Sequence, residues 1–359
     1  MIMKNYKLKI IIVVLILFCS SKSIAQNLYA GIEIGGKGLK VYIIDVRSVE
    51  KEIVVIENFW SENIALLPGI IADGAMNESD MNSTTQKVVI EYKKVLEEYK
   101  IEKNKIYVVI SSGVSIANNT NVLVEKIEKE IDITPGVITT AKESQYLFKS
   151  GVPIKFQEES LLLDIGSGNT KGGFIEKKEG ANTFINLNMN LGTMSLSELL
   201  SKQNKLYNFT DFVNATDLYY TTLSDQIKKI FESNERCFSK KKIYVSGGSA
   251  WAFYTLFYED DSRRNFLEFN PADVLTYDED IRHNFERFTV LAKKNKEVAR
   301  VLKTFTRENL IVSNSILRAT LSNIKNLSSK KVFFAKQPEV SWVVTYICNE
   351  LDKQSKGLL

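Results

Sequence analysis

Histidine is nearly absent. His283 is the only one in 359 residues, which argues against a serine–histidine–aspartate triad and against a histidine-rich metal site. It lies in Asp278-Glu279-Asp280-Ile281-Arg282-His283, a polar stretch with the character of a helix start, and reads as a surface residue. Cysteine is scarce as well, with Cys19, Cys237 and Cys348 the only three. One pair is no disulfide framework, so Cys237 and Cys348 are expected to be buried free thiols. The net charge of +4 is small and spread along the chain. No basic stripe with interleaved aromatics is present, so nucleic acid is not expected as a partner. A weak positive bias still helps to attract a polyanion.

Long apolar runs are missing everywhere except at the start. Lys4, Lys7 and Lys9 precede an apolar run over 10–18, and Ser23-Ile24-Ala25 closes the segment. This order predicts a secretory signal peptide over residues 1–25 and a periplasmic or secreted protein. The run is short of the roughly 20 apolar residues that span a bilayer. Phe18 is a poor neighbour for a lipidated Cys19. No stable membrane insertion is expected after cleavage.

With 44% hydrophobic and 25% charged residues, the remaining chain has the composition of a folded protein. Its length suggests two domains, placed at 26–152 and 153–359. Strand-like residues 28–34 lead into Gly35-Gly36-Lys37-Gly38 and a second strand over 39–44. A third strand follows over 53–59. Ser83 and Thr84 are expected to cap a helix carrying Val88, Val89, Tyr92, Val95, Leu96 and Tyr99. Then come a strand over 106–110, a helix with Val122, Val124, Ile127 and Ile131, a strand over 137–139 and a helix over 141–149. This alternation indicates an α/β domain with a mixed sheet.

A second cycle begins after Gly151-Val152-Pro153, with a strand over 161–165, the turn Gly166-Ser167-Gly168-Asn169 and a strand over 172–175. The two hairpins superimpose as patterns. Glu33-Ile34-Gly35 is followed after four residues by Lys40, and Asp164-Ile165-Gly166 after four residues by Lys171. This reads as a duplicated half-domain with both turns on one cleft. A third glycine element follows a strand over 242–245, where Gly247-Gly248 opens a helix and suits an anion. From about residue 262 the chain reads as mainly helical, with amphipathic segments near 278–302 and 313–324.

Glycine-rich turns can present backbone amides to phosphate, and an acid ending the preceding strand can hold a metal ion or order a water. The ordered set of Glu33-Ile34-Gly35-Gly36-Lys37-Gly38, Ile138-Thr139-Thr140-Ala141-Lys142-Glu143, Asp164-Ile165-Gly166-Ser167-Gly168-Asn169-Thr170, Leu191-Gly192-Thr193 and Ser246-Gly247-Gly248-Ser249-Ala250 resembles the exopolyphosphatase / guanosine pentaphosphatase (Ppx/GppA) family of the actin/hexokinase/heat-shock ATPase superfamily. The resemblance covers most of the chain after the N-terminal segment and thins beyond about residue 260. It implies a two-domain actin-like (ribonuclease H-like) α/β fold with a duplicated mixed sheet and a cleft between the domains. It implies hydrolysis of terminal phosphate from polyphosphate or a nucleoside polyphosphate, and by analogy a homodimer.

By this resemblance Glu143 is the catalytic carboxylate. Gly35, Gly36, Lys37, Gly38, Gly166, Ser167, Gly168, Asn169, Thr170, Lys171, Gly247 and Gly248 meet phosphate, and Glu33 and Asp164 hold Mg²⁺. The departures matter. Glu33 replaces the family's usual aspartate, Lys37 its asparagine, and Lys171 a metal-associated glutamate. Ser111-Ser112-Gly113-Val114-Ser115 stands where an arginine is usual. The added positive charge implies weaker dependence on Mg²⁺, with one or both lysines on substrate phosphates. Lys37 sits at the turn itself, whereas Lys171 faces the cleft or solvent according to the strand's alternation. Two alternatives accompany the hydrolase: a phosphate- or nucleotide-binding protein that no longer turns over, and a secreted apyrase-like nucleotidase.

Overall fold

The computed structural model describes residues 27–358 apart from 52, 179, 205, 260–263 and 337. The expected signal peptide and Cys19 lie outside the described residues. Two mixed sheets organise the chain. The first runs β3-β2-β1-β4-β5, built from β1 (Leu28–Ile34), β2 (Gly38–Ser48), β3 (Ile53–Asn63), β4 (Ile106–Ile110) and β5 (Gly136–Val137). The second runs β10-β11-β9-β6-β7-β8, built from β6 (Ser160–Ile165), β7 (Thr170–Lys178), β8 (Ala181–Met189), β9 (Lys242–Ser246), β10 (Phe266–Phe269) and β11 (Lys331–Ala335).

The duplication is visible in the pairing. β1 lies antiparallel to β2 and parallel to β4, and β6 lies antiparallel to β7 and parallel to β9. Glu33 pairs with Lys40 across the first hairpin, and Asp164 with Lys171 across the second. The matched spacing in the sequence is thus a matched cross-strand position.

Each sheet has its own apolar layer. Ile32, Ile34, Val41, Val88, Val108 and Ile127 belong to the first, and Leu161, Phe174, Ile243, Phe253, Ile311 and Ile316 to the second. A third cluster joins the two sheets through the helices Thr140–Gly151 and Pro338–Ser355. It combines Tyr42, Ile44 and Val109 of the first sheet with Leu162, Tyr244 and Ala335 of the second, and with Tyr146, Leu147, Trp342, Val343 and Ile347. The last helix therefore lies against the first sheet, although it belongs by sequence to the expected domain 153–359. Gly31 of β1 permits this approach, since a Cβ there would stand 2.7 Å from Val343 Cγ1.

Several sequence expectations change. The helix Glu78–Glu98 starts beyond Asn77, so Ser83 and Thr84 lie inside it, and Thr84 is buried. The segment 278–302 is three helices, Asp273–His283, Glu286–Ala292 and Lys296–Thr304. The first break falls at Asn284, and the Asn295 side chain caps the third by accepting from Glu297 N and Val298 N. His283 ends a helix rather than starting one, and it is exposed. β10 and β11 are strands within the stretch read as helical. Cys237 and Cys348 are free and buried. No helix among the described residues is long and apolar enough to cross a membrane.

β7 comes so close to β6 that a Cβ on Gly172 would overlap the Leu162 carbonyl. Gly172→Ala is expected to cost about 1–3 kcal/mol through this overlap. A measurable fall in the thermal midpoint checks it, and an unchanged midpoint would contradict the close approach.

Candidate functional site

The first glycine turn closes with Gly35 N donating to Gly38 O at 2.9 Å, and the second with Gly166 N donating to Asn169 O at 3.0 Å. Each turn is braced from behind. Ile64 N donates to Lys37 O and Leu67 N to Gly36 O, at 3.0 and 2.9 Å. Thr193 N donates to Gly166 O and Met194 N to Ser167 O, at 3.0 and 2.8 Å, and Ser195 Oγ donates to Gly168 O at 3.0 Å. The carbonyls of Gly36, Lys37, Gly38, Gly166, Ser167, Gly168 and Asn169 are therefore committed. Among the described residues, the amides of Gly36, Lys37, Ser167 and Gly168 donate to no backbone carbonyl. Such groups are the donors an anion seeks. Gly192 fits beneath the second turn only because it has no side chain. A Cβ there would lie 2.5 Å from Gly166 O and 2.7 Å from Asn169 N.

The two turns face one another across Leu67. A Cβ on Gly36 would stand 3.0 Å from the Leu67 Cβ, and one on Gly168 would stand 3.2 Å from its Cδ1. Nothing in the sequence pattern signals this leucine, because a buried leucine beside a proline is unremarkable.

Glu143 occupies the first turn of the helix Thr140–Gly151, whose N-cap Thr139 accepts from Lys142 N. A glutamate at that position ordinarily faces water. Here it is 4% exposed, and it reaches across to other elements. Its Oε2 accepts from Ser112 N at 2.7 Å, and its Oε1 lies 3.2 Å from Lys171 Nζ. Lys171 also lies 3.1 Å from Asp164 Oδ2 and donates to Asn169 Oδ1 at 3.3 Å. Asp164 completes its coordination by accepting from Ser246 Oγ at 2.7 Å. Asn169 in turn reaches Ser112 Oγ at 3.4 Å. Residues of both halves thus meet at one buried cluster.

Lys171 consequently faces inward, and its side chain is 8% exposed. Burial by itself would lower its pKa, but Glu143 and Asp164 more than reverse that and raise it well above the ordinary lysine value. Its ammonium charge is therefore fixed. Lys37 is the opposite case. It is half-buried, and burial lowers its pKa with no carboxylate facing it among the described residues. Lys37 is accordingly the lysine left for an incoming anion, whereas Lys171 is held by carboxylates. Glu33 accepts from Tyr42 O–H at 2.7 Å and lies 3.4 Å from Lys40 Nζ.

The other expected phosphate contacts divide. Gly35, Gly38, Gly166 and Asn169 form the turns. Thr170 is buried with its hydroxyl donating to Leu191 O at 2.9 Å, which removes it from the set facing a ligand. Gly247, at φ 85°, opens the helix Gly247–Tyr258, and a Cβ on it would stand 3.0 Å from Asp164 Oδ1. It therefore sits against the acid rather than apart from it. A Cβ on Gly248 would touch the Phe305 ring at 3.0 Å. Ser112, Ser246 and Tyr42 belong to the site without having been singled out. Tyr42 had a signal, because it follows Lys40 by two residues on one strand and so shares its face.

Mg²⁺ was expected between Glu33 and Asp164. These donors do not fit it. Asp164 carries an ammonium at 3.1 Å, and both Glu33 oxygens have partners. Among the described residues no group of three or more His, Cys, Asp or Glu side chains could hold a metal. A divalent ion about 4 Å from Lys171 would be repelled by roughly 8 kcal/mol at an effective dielectric constant of about 20.

No family model matches the chain. A bifunctional 3-dehydroquinate synthase/phosphatase of Fusobacterium nucleatum subsp. nucleatum is 25% identical over 193 residues, which is 51% of this chain and 28% of that protein. The chain thus matches less than a third of that relative's length. Among solved structures, an Aquifex aeolicus member of the Ppx/GppA protein family superimposes with a TM-score of 0.63 at 16% identity, covering 89% of this chain and 97% of that one. An exopolyphosphatase from Cytophaga hutchinsonii gives 0.63 at 13% identity, covering 88% and 97%.

Two mixed sheets with facing glycine turns are the architecture of a two-domain actin-like protein. Within that class, the chain has the fold of the Ppx/GppA structures.

Proposed function

We propose that this chain is a phosphoanhydride hydrolase of the exopolyphosphatase kind, releasing terminal phosphate from inorganic polyphosphate or a nucleoside polyphosphate. The observation that carries this reading is the position of Glu143. It is a buried carboxylate reaching from the helix between the sheets to the strand that leaves the second glycine turn. Phosphoryl transfer to water needs oxygen charge neutralised, an in-line approach and an oriented nucleophile. The unengaged amides of the turns and the Lys37 ammonium serve the first two needs. Each carboxylate oxygen has two lone-pair directions, so Glu143 keeps acceptor capacity beyond Ser112 N–H and Lys171. It can order a water and take its proton.

One observation favours a second reading. Glu143 is already engaged by Ser112 N–H and the Lys171 ammonium, and a cleft so arranged could bind phosphate without turnover. Phosphate release from long-chain polyphosphate, ATP and a guanosine pentaphosphate, measured side by side, separates the two. Release from any of them supports hydrolysis, and the preferred compound identifies the substrate. Saturable binding with no release supports the binding protein, and neither binding nor release removes both.

Export is proposed on residues 1–25 alone. Protein recovered from its native host should begin at Gln26. An intact N-terminus in the cytoplasmic fraction would count against it.

A further inference from the structure

We propose that Lys171 is the resident cation of this cleft, an ammonium in the place of a divalent metal, so that the site takes its polyphosphate ligand as the metal-free polyanion. The proposal rests on the phosphate-binding reading above.

Three observations carry it. The first is geometry. Lys171 Nζ stands 3.1 Å from Asp164, 3.2 Å from Glu143 and 3.3 Å from Asn169 Oδ1. Those three oxygens form a cation site, and the cation in it is covalently part of the chain. The second is the comparison within the molecule. Lys40 occupies the equivalent cross-strand position opposite Glu33, yet its side chain is 26% exposed against 8% for Lys171. Pairing of acid and lysine is thus a property of both hairpins, and only the second lysine is drawn into the cluster with Glu143. The third is charge. Lys40 lies beside Glu33, and Lys171 stands between Glu143 and Asp164, so each of the three carboxylates already has an ammonium next to it.

A polyphosphate that arrives with chelated Mg²⁺ would bring two positive charges towards Lys171. Without the metal, its oxygens meet the turn amides and Lys37. Chelation then competes with the protein for the ligand instead of assisting binding.

Sodium tripolyphosphate titrated calorimetrically into the full chain tests this, once with EDTA and once with excess Mg²⁺. Binding in EDTA at least as tight as in Mg²⁺ is expected. Binding that appears only with Mg²⁺ would overturn the proposal and leave the phosphate-site reading standing. No binding in either buffer would sink both. Mn²⁺ titrated alone and followed by electron paramagnetic resonance gives an independent readout. Wild type should hold no Mn²⁺ in the cleft, and Lys171→Glu should gain a Mn²⁺ site by uniting three acids. Mn²⁺ held by wild type and released on substitution of Asp164 by asparagine would also overturn it.

Discussion

Replacing Glu143 by glutamine is expected to slow phosphate release by about 10²–10⁴-fold, the range for loss of a general base. Binding of polyphosphate should change little, because the amides of the two turns and Lys37 are untouched. Glutamine can satisfy only one of the two neighbours at a time. Its carbonyl oxygen can accept from Ser112 N or face Lys171, and its amide group then meets the other, a second donor. A modest fall in the thermal midpoint should accompany the kinetic effect, and it serves as a check that the side chain remains in place. A variant with wild-type turnover would remove Glu143 as the base, whatever its geometry.

Lys171→Met is the second large effect. It removes the cation between two buried carboxylates and leaves Glu143 and Asp164 facing each other. Breaking a buried pair by deleting one partner costs about 3–5 kcal/mol. The sign of the pH dependence is specific. In wild type the folded-state pKa of Lys171 is raised. The stability it contributes is full below the ordinary lysine value and is lost only as pH rises through the higher folded value. Neutral pH therefore leaves it intact. In the variant, burial and like charge would raise the carboxylate pKa values above those of the unfolded chain. Its stability deficit should then shrink as pH falls and the pair takes up protons. Urea unfolding of both proteins at pH 5 and pH 8 measures this, and an equal deficit at both values would show that the ammonium is not what holds the carboxylates.

The legible part of this site came from spacing. Acid-Ile-Gly, four residues, then lysine places acid and lysine opposite each other on a tight hairpin, and both pairs form. The apolar strands β1, β2, β4, β6 and β9 announce themselves because they are buried along most of their length. Others do not. β8, with residues Ala-Asn-Thr-Phe-Ile-Asn-Leu-Asn-Met, is an edge strand whose first half is exposed, so little apolar pattern is imposed on it. β10 and β11 each include an exposed charged residue, Glu268 and Lys331, which shortens an apolar run that is already brief. At the site, strand alternation left Lys171 with two directions open. The inward one prevails because Glu143 arrives from a separate helix, a tertiary fact with no local trace. Ser112 is invisible for a related reason: what it contributes to Glu143 is a backbone N–H, which every residue type but proline also has.

The placement of the helix Pro338–Ser355 on β1 has a consequence for how the molecule is made. The strands of the first sheet all lie within the first 137 residues. The face of that sheet around Gly31, Tyr42 and Ile44 is covered by Val343 and Ile347. On the ribosome, the earliest part of the domain must therefore wait, with an apolar face open, until nearly the whole chain has been synthesised. At about 5–20 residues per second, the more than 200 residues between them amount to tens of seconds of exposure. If the chain is exported as proposed, the same interval is the one in which a translocation machinery would meet it still incomplete.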